Sequence, residues 1–165
     1  MKIYIGSDHG GFDLKQELLG SLSALGTSLG KSFEFKDLGC YTSESVNYPD
    51  LAKLVCESVL DDYKKLPHFT ASEDALSYES VGILFCGSGQ GMAMKANKYQ
   101  QIRAGLCWNS EITTLAREHN NANILCLPGR YINSPVALEM VRIFLTTPFA
   151  KGRHSIRVDK IANTI

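Results

Sequence analysis

The stretch "VGILFCGSGQGMAMKANK", residues 81–98, decides the fold of this protein. Its first six residues are an apolar run that ends at Cys86 and predicts a buried strand. Three closely spaced glycines follow, and the segment after them is predicted to be a helix. A strand, a glycine-rich turn and a helix form the unit of α/β sheets, which bind ligands where their strands end.

The same alternation continues along the chain. Four further apolar runs predict strands, and leucines or valines at helical spacing predict helices between them. The predicted strands are 2–6, 33–39, 102–107 and 123–127. The first predicted helix carries Leu14 to Leu25 and ends at Gly26, and the second runs from Pro49 to Val59 with Leu54 on its apolar face. Two further helices are predicted from Asn109 or Ser110 to Asn120 and from Ser134 to Leu145. This order predicts a parallel sheet covered on both faces. The polar tract Lys64–Ser80, "KKLPHFTASEDALSYES", is predicted to be a surface excursion before the third strand.

Composition narrows the class of protein. The 165 residues suit one domain, and 17 basic residues balance 17 acidic ones, so no bulk charge attracts nucleic acid or lipid. The sequence contains neither an apolar run of about 20 residues nor a signal-peptide core, which predicts a cytosolic protein. Five cysteines without a CxxC pair argue against disulfides and zinc ribbons. Cys107 and Cys126 lie in apolar runs and are predicted to be buried structural residues.

The loop after the first strand, "GSDHGGF", holds two polar side chains at its tip. Gly6, Gly10 and Gly11 allow a tight turn that presents Asp8 and His9. Asp and Ser also form turns for purely structural reasons. A carboxylate beside an imidazole at the end of a strand nevertheless favours a functional site.

The loop after Cys86, "GSGQGM", predicts an anion site. Alternating glycines let successive backbone N–H groups converge on an anion at the start of a helix. The spacing differs from that of dinucleotide-binding and Walker A loops. The loop therefore suits a small oxyanion: a phosphate, a carboxylate or an enediolate.

Further candidates follow later strands. His119 and Asn120 end a predicted helix, where a histidine can also simply complement the helix dipole. Arg130 follows the fifth strand; Arg153 and Arg157 lie four residues apart, where they either clamp a phosphate from one helix face or form a solvated charged face. With no metal-ligand spacing and no cofactor fingerprint, the whole set suits proton chemistry on a small phosphorylated molecule.

The motifs "GSDHGGF", "YPD", "CGSGQGMAMKANK", "LAREHNNANIL", "GR" and "GRHSIRV" occur in the order and spacing of ribose-5-phosphate isomerase type B. The chain resembles this family, which includes galactose-6-phosphate and allose-6-phosphate isomerases, over nearly its whole length except the Lys64–Ser80 tract. The resemblance implies a Rossmann-like three-layer α/β/α sandwich with a five-stranded parallel sheet. It also implies one isomerase domain over residues 1–165, no metal or cofactor, and homodimers or dimers of dimers with sites between subunits. Residues 150–165 would contribute to the phosphate site and to subunit contacts.

The resemblance also implies roles for individual residues. Cys86 would be the general base that moves a proton between C2 and C1 of a small phosphorylated sugar, with Ser88 beside it. His119, with Asp8 nearby, would assist ring opening. The implied binding residues are Gly87, Gly89 and Gly91 for the enediolate, Asn120 and Tyr48 for the sugar, and His9, Arg130, Arg153 and Arg157 for the phosphate, with His154 as a further candidate.

One departure from part of the family concerns the base. Some members carry a glutamate after the glycine loop, where this chain has Met92, so Cys86 is the candidate base of the loop. A thiol is mostly protonated at neutral pH, and we expect the helix start or nearby cations to lower its pKa. The alternatives to a ribose-5-phosphate isomerase are an isomerase of another phosphosugar, a hexose 6-phosphate or a four-carbon ketose phosphate, and a non-catalytic module that binds a phosphometabolite. A thiol redox protein is disfavoured because a partner cysteine is missing.

Overall fold

The computed structural model describes residues 1–162, which form five strands and six α-helices. In chain order these are β1 (Lys2–Ser7), α1 (Phe12–Ser28), β2 (Glu34–Asp37), α2 (Tyr48–Tyr63), β3 (Ser80–Cys86), α3 (Gln90–Ala96), β4 (Ala104–Leu106), α4 (Ser110–Glu118), β5 (Ile124–Pro128), α5 (Ser134–Thr146) and α6 (Arg153–Ala162). A short 3₁₀ turn, Ala75–Tyr78, precedes β3. Residues 163–165 of the predicted C-terminal segment lie outside the described residues.

The five strands form one parallel sheet in the order β2-β1-β3-β5-β4. Helices α1 and α5 pack on one face, where Leu18 and Phe144 are fully buried, and α4 adds Ile112 at the margin of the same core. Helices α2 and α3 cover the other face through Val55 and Met92. Every residue of β3 is buried because this strand lies in the middle of the sheet with helices on both sides. The predicted three-layer α/β/α sandwich with a five-stranded parallel sheet is confirmed.

Two details of the predicted helices were wrong. Helix α1 continues through Gly26 to Ser28, and the left-handed backbone that favours glycine occurs at Gly30, where φ is 61°. Gly26 instead allows a close approach, because a Cβ there would lie 2.9 Å from the carbonyl oxygen of Lys31. In α2, Leu54 is 48% exposed and lies off the core face that Val55 and Val59 occupy.

The Lys64–Ser80 tract is only partly the surface excursion that its polarity predicted. His68 is exposed, but the second half of the tract packs against the domain, with Ala71, Ala75 and Tyr78 buried. The ring of Phe69 stacks on the ring of Tyr63 with 4.9 Å between centroids. The tract is therefore part of the packed structure.

The structural cysteines are placed as expected. Cys107 and Cys126 are fully buried, and burial raises the pKa of Cys107 to about 11. The same desolvation raises the pKa of Cys126 well above its ordinary value, so both thiols remain protonated and inert at neutral pH. None of the helices within residues 1–162 has the length and apolar composition required to cross a membrane.

Candidate active site

Three loops meet in backbone contact where β1, β3 and β5 end. The N–H of Asp8 donates to the carbonyl of Phe85 at 3.0 Å, and the N–H of Gly129 donates to the carbonyl of Cys86 at 2.8 Å. A Cβ on Gly11 would lie 2.3 Å from the carbonyl carbon of Phe85, so only glycine allows this approach. This close contact brings the loop after β1 against the end of β3, where the loop after Cys86 begins.

Cys86 and Asp8 form the centre of this group. Both are buried, with 7% of Cys86 and 5% of Asp8 exposed. The negative charge of the Asp8 carboxylate acts on the Cys86 thiol, and Oδ1 of that carboxylate accepts the N–H of Gly11 at 2.9 Å. The loop backbone therefore fixes the orientation of the carboxylate.

The pKa of Cys86 is raised above its ordinary value by burial first, and then by hydrogen bonding to Asp8 and by the negative charge of Asp8. The backbone amides of Gly89 and Ser88 lower this pKa and so act in the opposite direction. The loop amides therefore favour the thiolate as expected, but burial and Asp8 outweigh them. The expectation of a lowered pKa was wrong for the isolated chain.

The loop from residue 87 to 91 is shaped by Gly89. Its φ of 76° is left-handed, and a Cβ there would lie 2.4 Å from Cδ1 of Leu106. Ser88 is exposed, and its hydroxyl oxygen accepts the N–H of Gln90 at 3.4 Å. Met92 is fully buried in the core, so its side chain faces away from any bound molecule.

Tyr48 joins this group from another part of the chain. It is the first residue of α2 and is 41% exposed. Its ring lies over Gly91, where a Cβ would come within 2.6 Å of the ring carbon Cζ. The aromatic ring therefore borders the loop that follows Cys86, on the same side of the molecule as the thiol.

Two basic side chains lie at the same, carboxyl-terminal ends of the strands. Nδ1 of the exposed His9 accepts the N–H of Val46 at 3.4 Å, so a neutral His9 ring carries its proton on Nε2. The side chain of Arg130 lies against Gly87, with Nε 3.5 Å from the position that a Cβ would take there. Both side chains are exposed and can contact an anion bound at these strand ends.

The remaining predicted residues lie at the opposite, amino-terminal ends of the strands. Helix α4 runs from the end of β4 to the start of β5, and its nine residues correspond to about 13 Å. His119 caps its C-terminal end, and Asn120 lines a groove with Ala104, the first residue of β4. Within residues 1–162, one chain therefore does not bring these side chains to Cys86. The predicted proximity of Asp8 to His119 is likewise not present in one chain.

His119 belongs to a second group together with the start of α6. Its ring stacks on the ring of His154, with 4.3 Å between centroids and 5° between planes. The tail is helical from Arg153, so Arg153 and Arg157 share one face as expected, and both are exposed. The pKa of His154 is lowered by burial and then by the positive charges of His119, Arg153 and Arg157.

Sequence reasoning missed a buried lysine behind the first group. The Lys15 side chain is fully buried, pairs with Asp37 at 2.7 Å and donates to the carbonyl of Cys40 at 2.7 Å. It fastens the segment that follows β2 and leads to Tyr48. Nothing in the sequence marks Lys15, because its partners are 22 and 25 residues away.

Comparison with known proteins shows the family of the chain. A sequence profile of the family described as Ribose/Galactose Isomerase matches residues 3–161. The chain belongs to this family. Ribose-5-phosphate isomerase B of Mycolicibacterium paratuberculosis is 34% identical over 163 residues, which cover 98% of this chain and 90% of that protein. The family resemblance stated from the motifs is therefore confirmed.

Solved structures of this isomerase family have the same fold. A ribose 5-phosphate isomerase from Thermotoga maritima superposes with a TM-score of 0.81 at 45% identity, over 99% of this chain and 98% of that one. Ribose-5-phosphate isomerase B from Mycoplasma genitalium, solved with bound ribulose-5-phosphate, gives 0.80 at 35% identity, over 98% and 94%. At these identities the likeness covers both fold and family, and the chain is an isomerase.

Proposed function

We propose that this chain interconverts ribose 5-phosphate and ribulose 5-phosphate, with Cys86 as the general base. The observation that carries the proposal is the position of the buried Cys86 at the end of β3, where the loop that holds Asp8 is hydrogen-bonded to Phe85 and the glycine loop 87–91 begins. The ribulose-5-phosphate bound to the Mycoplasma genitalium relative supports the choice of sugar. The same set of groups would serve an aldose–ketose proton transfer on any phosphosugar of similar length.

The proposed reaction moves one proton on carbon and one on oxygen. The thiolate of Cys86 removes the proton from C2 of the open-chain aldose, and the electron pair of that bond forms the C1–C2 double bond while the C1 carbonyl becomes an oxyanion. The loop amides of residues 87–91 stabilise this enediolate. Cys86 then returns the proton to C1, the C2 hydroxyl loses its proton, and the C1 oxygen gains one.

The raised pKa of Cys86 sets a requirement for this step. The sulfur must lose its proton before it can accept one from carbon. Removing negative charge near the thiol, or bringing positive charge to it, lowers its pKa. The arginines of the second group carry the required positive charge, but in one chain they lie at the opposite ends of the strands.

We therefore propose that the working site is formed by two copies of the chain, as a homodimer or a dimer of dimers. Cys86, Asp8, His9, Tyr48 and Arg130 would come from one copy, and His119, Asn120, Arg153 and Arg157 from the other. Two apolar grooves border β4 at the edge of the sheet: Met94 and Leu106 line one, and Ile161 lines the other. A second copy seated there would cover the exposed side chains of Met94 and Ile161.

The phosphate would be held by His9 and Arg130 of one copy and by Arg153 and Arg157 of the other. Binding at this non-reacting end would position C1 and C2 over the thiol. His119, with Asp8 from the other copy, would assist opening of the furanose ring.

A panel of phosphorylated sugars tests the proposal. We expect the highest kcat/KM for ribose 5-phosphate, compared with hexose 6-phosphates and a four-carbon ketose phosphate. Better turnover of another sugar would contradict the substrate, and a thermal shift with sugar phosphates without turnover would indicate a binding module instead.

The role of the thiol is tested by Cys86→Ala. We expect kcat to fall by about 10²- to 10⁴-fold, as for loss of a general base, while binding of inorganic phosphate remains. Cys107→Ala is the matched control, because that thiol is buried in the core and we expect turnover to persist. Near-normal kcat in Cys86→Ala would refute the assignment.

A further inference from the structure

The Lys64–Ser80 tract contains an ion pair that the proposed mechanism does not use. Nη2 of Arg117 lies 2.5 Å from Oδ1 of Asp74, and the Arg117 side chain is fully buried. The rest of the guanidinium donates to Oδ1 of Asn121 at 3.1 Å and to the carbonyls of Ala122 at 2.6 Å and Thr147 at 3.1 Å. A buried cation with this many partners fixes the end of α4, two residues before His119.

The second oxygen of the Asp74 carboxylate reaches the segment that leads to α6. Oδ2 accepts the N–H of Phe149 at 3.0 Å, while Oδ1 also accepts the N–H of Leu76 in the tract itself. One carboxylate thus joins α4, the tract and the connection between α5 and α6. Ala150, the next residue, donates its N–H to the carbonyl of Glu118 at 3.0 Å.

Two further contacts seat α6 on the tract. Ala71 packs in a small apolar cluster with Phe149, Val158 and Ala162. Glu73 pairs with Lys151 at 3.5 Å, on the surface beside the start of the helix. Tract residues 71, 73 and 74 therefore all contact α6 or the segment before it.

Helix α6 depends on such support. It has only ten residues, and isolated helices of this length are marginal in water. Two guanidiniums that hold one phosphate must be kept at a fixed distance and orientation. The position of Arg153 and Arg157 relative to His119 is consequently set by what α6 packs against.

From these contacts we propose that Asp74 is a positioning residue for the phosphate-binding end of the site, a role that rests on the proposed function of α6. Its carboxylate holds α6 against the end of α4 and thereby places Arg153 and Arg157. The tract serves as the seat of this helix. Asp74 itself touches neither phosphate nor sugar in this assignment.

Asp74→Asn tests the proposal in the full chain. The amide has the size of the carboxylate but lacks the charge that pairs with Arg117. We expect KM for ribose 5-phosphate to rise about tenfold and inorganic phosphate to bind about tenfold more weakly in calorimetry, with a smaller fall in kcat from poorer positioning of C1 and C2. The split between KM and kcat separates misplaced phosphate groups from a general loss of folded protein.

Asp62→Asn is the matched control. Asp62 is also a partly buried carboxylate in an ion-pair network, with Lys2 at 3.1 Å, Lys65 at 3.0 Å and the Tyr4 hydroxyl at 2.9 Å. None of these partners belongs to either group of candidate site residues. We expect Asp62→Asn to lower Tm without changing KM or phosphate binding.

Two results would overturn the proposal: an unchanged KM and phosphate affinity in folded Asp74→Asn, or an equal change in Asp62→Asn. If Asp74→Asn does not fold, Asp74→Glu keeps the negative charge but displaces the oxygen that accepts the N–H of Phe149, and an unchanged KM and phosphate affinity there would equally contradict it. If the wild type fails to turn over ribose 5-phosphate, the proposed function is wrong, whereas the phosphate titration still tests the role of Asp74.

Discussion

The thiol of Cys86 has neighbours with opposite effects on its pKa. Burial and the Asp8 carboxylate raise it, while the N–H groups of Gly89 and Ser88 lower it. The net effect is a raised pKa, so the resting thiol is protonated at neutral pH. This balance makes Asp8 the residue through which the acidity of the base is adjusted.

Asp8→Asn should lower the pKa of Cys86, because it removes the negative charge that helps to raise this pKa. The rate of alkylation by iodoacetamide follows the thiolate, so its midpoint on the pH axis should move to lower pH than in the wild type. Mass spectrometry of the peptide that contains Cys86 gives this rate separately from the other four cysteines. Asp13→Asn, an exposed acid in the first turn of α1, should leave the midpoint unchanged. An unchanged or higher midpoint in Asp8→Asn would contradict the assignment.

The sequence pointed to residues whose signal is local. Cys86 was visible because a strand, a thiol and a glycine loop are adjacent in the chain, and Asp8 because it lies in a similar loop. Asp74 and Arg117 were missed because they lie 43 residues apart and acquire meaning only when the fold joins them. The ring of Tyr48 over Gly91 is also a tertiary contact that spacing does not reveal.

At the scale of elements, all five strands were predicted, and the apolar signal is strongest for β1, β3 and β5, because only the three central strands of the sheet are buried on both faces. The ends of elements were less accessible. Strand β4 has three residues instead of six because it lies at the edge of the sheet and pairs only with β5. Helix α1 passes through Gly26 because the tertiary approach of Lys31, and not the end of the helix, requires glycine there.

The turn from β3 into α3 should be sensitive to a single methyl group at Gly89. Gly89→Ala places a Cβ at positive φ and against Leu106, and we expect it to reduce the free energy of unfolding by about 1–2 kcal/mol. It should also lower kcat, because the amides around the thiol move. Gly20→Ala is the control: the position is inside α1 with nothing within 4 Å, so alanine should stabilise by about 0.5–1 kcal/mol. Urea unfolding and the isomerase assay measure both, and equal stability of the two variants would contradict this view of the turn.

At the scale of the whole molecule, the candidate residues form two groups at opposite ends of the parallel strands. The sequence predicted the members of both groups but could not place them, because strand order and the course of α4 decide at which end of the strands each residue lies. One group has the thiol and the loop amides; the other has the stacked histidines and two arginines of α6. The account therefore depends on the two groups meeting between two copies of the chain.

Complementation between two inactive variants tests this claim most directly. Cys86→Ala removes the base from one group, and Arg153→Ala with Arg157→Ala removes the phosphate clamp from the other. Each variant alone should be nearly inactive at a ribose 5-phosphate concentration well below the wild-type KM. In a co-refolded equal mixture, random pairing makes about half of the dimers mixed, and each mixed dimer has one intact site out of two. The account predicts about one quarter of the wild-type activity in the mixture, whereas a mixture as inactive as its components would contradict it.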